Sequence, residues 1–181
     1  MRAFIAITTP PTIELTRLLA RLACLGRAIT PIDPANLHLT LRFLGEIAAG
    51  DMNGLTNAIS HAVTGVQPFN LKFCGLGMFP NDHRPRILWT AATPPQPLTT
   101  IAHRLANLGT DPAASDHDRP WQAHITLARI KAKPPAEWAK LIHTHASQTF
   151  GRIPVDTIKL IASELTPHGP HYTTLQTISL A

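Results

Sequence analysis

Asn36-Leu37-His38-Leu39-Thr40-Leu41-Arg42-Phe43-Leu44-Gly45 is the informative stretch of this chain, because its centre recurs as His124-Ile125-Thr126-Leu127. Each copy alternates polar and apolar residues, the period of a strand with one face in a core. The spacing predicts strands over 37–44 and 124–130. On a strand, alternate side chains share a face. His38, Thr40 and Arg42 are therefore expected on one face, with Leu37, Leu39, Leu41 and Phe43 opposite and Phe43 in the core. In the second copy His124 and Thr126 share a face, while Ile125 and Leu127 point inward. Each strand carries an imidazole and a hydroxyl side by side. His-x-Thr alone is uninformative, and a third copy exists at His171-Tyr172-Thr173. Adding an aliphatic residue and then leucine cuts the chance expectation to ~0.03 per chain, so two full copies outweigh coincidence.

The rest of the sequence frames these two strands. The chain has 181 residues, the size of one ordinary domain, and 1–181 is read as a single unit of two lobes. Hydrophobic residues make up 44% and charged residues only 15%, a composition that builds a core and excludes a disordered chain. The net charge is +5 and the pI about 9.8, which favours anionic partners such as phosphates or RNA. Charge is too sparse for a protein that coats DNA. Cys24 and Cys74 make neither a disulfide framework nor a four-thiolate zinc site, and are read as free core thiols in a reducing cytosol. No apolar run approaches the ~20 residues of a membrane span, and the run at Phe4–Ile7 is too short for a signal peptide. A cytoplasmic protein is expected. The sequence gives no oligomeric state, and a monomer is the default.

Periodicity predicts further strands over 2–8, 69–74, 87–91, 153–165 and 172–180, the last two joined by the turn at 167–170. Helical spacing covers 13–25, 51–63, 98–108 and 135–146. The order lacks a regular βαβ rhythm, and no glycine-rich phosphate loop follows a strand. An α+β fold results, mainly antiparallel with helices outside.

Two rails of this kind suit phosphodiester chemistry. One imidazole can deprotonate an attacking water while the other protonates the departing oxygen. The hydroxyls of Thr40 and Thr126 can hydrogen-bond the non-bridging oxygens, where charge develops. These roles require no metal or cofactor, and the near-identity of the copies leaves acid and base unassigned. His143-Thr144-His145 is a poor metal pair, because positions two apart do not share a helix face.

These motifs resemble those of the two-histidine phosphoesterases, and most closely the RNA 2′,3′-cyclic phosphodiesterases, a 2′-5′ RNA ligase-like family. The resemblance covers nearly the whole chain. It runs from Arg2-Ala3-Phe4-Ile5-Ala6-Ile7 through the first motif, Gly75-Leu76-Gly77-Met78-Phe79-Pro80 and Arg84-Pro85-Arg86-Ile87-Leu88-Trp89. It continues into His124-Ile125-Thr126-Leu127-Ala128-Arg129 and ends at Gly169-Pro170-x-Tyr172-x-x-Leu175. It implies a bilobal, pseudo-twofold fold with one motif per lobe and a central cleft. It also implies hydrolysis of 2′,3′-cyclic phosphates on RNA ends or nucleotides to 2′-phosphates. His38 would be the proton donor to the leaving 3′ oxygen and His124 the proton acceptor. Where the family often reads Arg-Pro-Phe-x-Pro-His, this chain reads Arg119-Pro120-Trp121-Gln122-Ala123-His124. It keeps an aromatic there and loses a proline. Glu164-Leu165-Thr166 also departs from the family's form.

Arg42 and Arg119 are candidate phosphate contacts, with Arg86 a further one. Trp89 and Trp121 offer stacking faces for a base, and Tyr172 reads as structural. Competing functions are a non-catalytic RNA-end binding module, 2′-5′ ligation by reversal at the same site, and a zinc hydrolase. Binding alone does not need an acid–base pair, which disfavours the first.

Overall fold

A computed structural model of the chain describes residues 1–93, 96–109, 121–167 and 169–181. The elements run β1 (Arg2–Thr8), α1 (Ile13–Ala23), β2 (Ile29–Pro31), β3 (His38–Glu46), α2 (Met52–Val63), β4 (Phe69–Phe79) and β5 (Ile87–Thr93). They continue with α3 (Gln96–Leu105), β6 (His124–Ile130), α4 (Glu137–His145), β7 (Thr149–Val155), β8 (Thr157–Thr166) and β9 (Gly169–Ser179). The strands form two antiparallel sheets, ordered β3-β1-β8-β9 and β2-β6-β5-β4-β7. This is the expected α+β fold, with one histidine motif in each sheet.

Each sheet buries one face under helices. Leu15, Leu18, Leu19 and Leu22 form the buried stripe of α1, whose N-terminus Thr12 caps by accepting from the Leu15 N–H. Ile59, Ala62 and Val63 of α2 and Leu98, Ile101, Ala102 and Leu105 of α3 are also buried. One continuous core joins them to Ile5, Leu39, Leu41, Phe73, Leu88, Ile125, Leu127 and Phe150. Both motifs lie on the opposite sheet faces, where Phe4, Ala6 and Ile161 of the first sheet form a small second buried cluster with Tyr172 packed against it. No helix among the described residues is long and apolar enough to cross a membrane, which says nothing of strands.

Several expectations need correcting. The stretch 153–165 is two strands in different sheets, because the apolar phase slips between Val155 and Ile158 and the chain crosses at Asp156. There the Asp156 carbonyl accepts from the Leu180 N–H. The three-residue β2 carries Pro31 at a sheet edge, where a missing N–H costs no ladder bond. Cys24 is exposed and Cys74 half-buried, so both thiols are free but neither belongs to the core.

Candidate active site

Both motif strands break register at the same place. In β3, Thr40 pairs with Ala6 and Arg42 with Ile5, which leaves Leu41 as the extra residue of a bulge. In β6, Thr126 pairs with Trp89 and Ala128 with Leu88, which leaves Leu127 as the extra residue. A bulge puts two successive side chains on one side and shifts the alternation beyond it. The face carrying His38 and Thr40 therefore continues at Phe43, and the face carrying His124 and Thr126 continues at Arg129.

This overturns two expectations. Phe43 is not core: it pairs with Phe4 on the open face, with ring centroids 6.2 Å apart, and is 49% exposed. Arg42 does not share a face with His38. It lies opposite the core residue Ile5, and its Nε donates to the Leu108 carbonyl at 2.7 Å. The reason for assigning Arg42 to substrate phosphate, a shared face, does not hold. Arg119 lies outside the described residues.

The two histidines are held alike. His38 Nδ1 lies 2.7 Å from the Asn36 carbonyl and His124 Nδ1 lies 2.8 Å from the Gln122 carbonyl, each two residues upstream. A carbonyl only accepts, so Nδ1–H donates in both cases and Nε2 is left as the reacting nitrogen. Aromatic rings wall each imidazole. His38 packs against Phe4 at 4.9 Å and, edge-on, against Tyr172 at 5.3 Å between centroids. His124 packs edge-on against Phe79 at 5.1 Å and against Trp89 at 6.0 Å. Burial pushes both imidazoles below the ordinary histidine value, against the opposing effect of the carbonyl hydrogen bonds. Charge on His124 lowers His38 further, so the two rings sense each other.

The lobes are tied above this pair. Trp121, just before the second motif, donates from Nε1 to the Thr40 carbonyl of the first at 3.4 Å. A phenylalanine there could not donate. Tyr172 of β9 is raised by burial, and the Arg129 cation of the other sheet opposes that shift. Arg129, Phe4, Phe79 and the site position of Tyr172 were not singled out from the sequence. For Arg129 a cue existed: the doublet Leu127-Ala128 breaks the polar–apolar alternation. Among the described residues no cluster of three His, Cys, Asp or Glu side chains could hold a metal.

Residues 5–89 match the family described as LigT like Phosphoesterase. A protein of Archaeoglobus fulgidus named RNA 2′,3′-cyclic phosphodiesterase is 32% identical, over 97% of this chain and 98% of the relative. The crystal structure of TT0787 of Thermus thermophilus superposes with a TM-score of 0.82 at 31% identity, covering 99% of this chain and 98% of that one. E. coli LigT complexed with 3′-AMP gives a TM-score of 0.69 at 25% identity, over 99% of this chain and 97% of that one. With matched histidine motifs on two facing sheets and full-length relatives of that kind, the chain belongs to the LigT-like family of RNA 2′,3′-cyclic phosphodiesterases.

Proposed function

We propose that the cleft hydrolyses a 2′,3′-cyclic phosphate on an RNA end or nucleotide to a 2′-phosphate, with His38 as proton donor and His124 as proton acceptor. Water attacks phosphorus as its proton passes to His124 Nε2. The bond from phosphorus to the 3′ oxygen breaks as that oxygen takes the proton of His38 Nε2. Thr40 and Thr126 donate hydroxyl hydrogen bonds to the non-bridging oxygens. Arg129, on the same open face as His124, neutralises the phosphodiester anion. The exposed ring of Phe43 offers a stacking face to the base.

The observation that carries this reading is the matched tautomer: both Nδ1 atoms are fixed on backbone carbonyls, so two Nε2 atoms are available. The mutual repulsion of the protonated rings favours a pair holding one proton, the state acid–base catalysis needs. The direction, His38 as acid, comes from the family resemblance. A bound nucleotide with a 3′-phosphate in E. coli LigT supports a nucleotide-sized cleft.

The test is incubation of the protein with each nucleoside 2′,3′-cyclic phosphate in excess chelator, with products read by phosphorus NMR. Formation of the 2′-phosphate is expected. Formation of the 3′-phosphate, or turnover only after zinc is restored, counts against the mechanism. Absence of turnover would favour a binding module.

A further inference from the structure

The open face of the β2-β6-β5-β4-β7 sheet continues well past His124. Ala91 of β5 pairs with His124, and Ala91 with Cys74 of β4. One step further along the same face, Thr93 of β5 pairs with Lys72 of β4, and Lys72 pairs with Arg152 of β7. Gln122, two residues before His124, enters the same row. Burial separates the two faces: Leu71, Phe73, Ala92, Phe150 and Ile153 are core, whereas Lys72 is half-buried and Gln122, Thr93 and Arg152 are exposed. Four polar side chains thus form a cross-strand row beside the catalytic histidine.

Two of the four are cations set directly opposite each other, an arrangement that destabilises a sheet. Among the described residues no carboxylate relieves it: the ion pairs there join Glu46 to Arg2 and to the N-terminus, on the other sheet. At the spacing of paired strands, Lys72 lies about 10 Å and Arg152 about 14 Å across the sheet from the β6 line. That is too far for either to touch the phosphate held at His124. It is a span of a few nucleotides of single strand.

Resting on the reading of the cleft as a cyclic-phosphate site, we propose that Gln122, Thr93, Lys72 and Arg152 form a track for the sugar-phosphate backbone upstream of the reacting end. The substrate this site is built for is therefore an oligoribonucleotide terminus rather than a free cyclic nucleotide. A lone nucleotide has one phosphate for the histidines and none for the row. A strand places its next phosphates along it.

The experiment compares wild type, a Lys72→Gln/Arg152→Gln double variant, and an Arg17→Gln/Lys140→Gln control that removes the same charge from exposed positions on the helices α1 and α4. Binding of a 5′-labelled hexaribonucleotide with a 3′-phosphate end is followed by anisotropy from 50 to 200 mM salt. Each backbone phosphate contact contributes about −0.7 to the slope of log K against log salt. The double variant should lose about 1.4 of that slope and bind on the order of 10-fold more weakly at the lower salt, while the control keeps the wild-type slope. The ratio of kcat/KM on a hexaribonucleotide 2′,3′-cyclic phosphate to that on the mononucleotide should fall with it. Thr93→Lys, which adds a cation to the row, should strengthen hexamer binding even if the double variant folds poorly. An unchanged slope in the double variant, an equal loss in the control, or an equal loss on the mononucleotide overturns the track. If wild type turns over neither cyclic phosphate yet binds the hexamer through Lys72 and Arg152, the catalytic reading fails and the track stands.

Discussion

Gly77→Ala isolates the aromatic wall behind His124. Gly77 pairs with Trp89, and its backbone does not occupy the left-handed region, so alanine meets no conformational barrier. The obstacle is space. A Cβ built at Gly77 lies 2.1 Å from Trp89 Cζ2, 2.3 Å from Cη2 and 2.6 Å from Cε2. Ordinary contact is about 3.5 Å, so the indole must give way by about 1.4 Å. It is held by packing alone: its Nε1 is buried with no hydrogen-bond partner among the described residues, and its ring touches both Phe79 and His124. Displacement therefore passes to the imidazole. Overpacking of this kind costs about 1–3 kcal/mol, and a shift of ~1 Å in a reacting group costs on the order of 100-fold in rate. At about 2–4 °C per kcal/mol for a chain of this size, the melting temperature should fall by roughly 2–12 °C. The assay is kcat/KM on a nucleoside 2′,3′-cyclic phosphate, with thermal melting by circular dichroism. Trp89→Leu in the alanine background should restore most of the lost stability. Wild-type turnover and melting in Gly77→Ala would refute the claim that Trp89 transmits position to His124.

Replacing either His38 or His124 by alanine should lower kcat/KM by about 10²–10⁴-fold. The double variant should lose far less than the product, because the residues act as a unit; near-normal turnover in folded His124→Ala would sink the mechanism. The free enzyme's kcat/KM should follow a bell in pH, rising as His124 loses its proton and falling as His38 loses its own. Because burial depresses both, the maximum should lie on the acid side of the ordinary histidine value of 6.5, and a kcat/KM profile from pH 4.5 to 8.5 that peaks above 7 would contradict it. The two limbs belong to the pair rather than to either ring. Arg129→Gln should reduce kcat/KM on the order of 10–100-fold while the fold persists, as expected for loss of a hydrogen bond from a charged group; unchanged kinetics would remove Arg129 from phosphate binding.

The two motif strands were legible because alternation and repetition are local signals, and the helices because their apolar stripes are. What lay beyond the motifs was not equally visible. In the second copy, Leu127-Ala128 marks the bulge as two apolar residues in succession. In the first copy the corresponding doublet is Leu41-Arg42, which preserves strict alternation and conceals the bulge. Arg42 tolerates a core-side position because its long stem carries the guanidinium to the Leu108 carbonyl, a contact no sequence pattern announces. The crossing at Asp156 left a trace in the apolar phase, whereas β2 left none. Three residues including a proline have no strand propensity of their own, and they pair only because residues 128–130 are beside them.

The aromatic walls were out of reach for the same reason. Phe4, Phe79, Trp89 and Tyr172 come from four different strands and reach the imidazoles only through sheet register. Their effect is chemical as well as steric, since they supply the burial that lowers both histidines toward the neutral form. The scaffold they complete is nearly symmetric: matched carbonyl partners, matched tautomers and matched bulges. Symmetric acid and base alone would let a phosphodiester bind in either direction. The symmetry fails one step past each bulge, where the first strand offers the exposed ring of Phe43 and the second the cation of Arg129. In the proposed mechanism, a ring on one side and a charge on the other would distinguish the base of a nucleotide from its phosphate, so direction would reside in the residues after the motifs rather than in the motifs themselves.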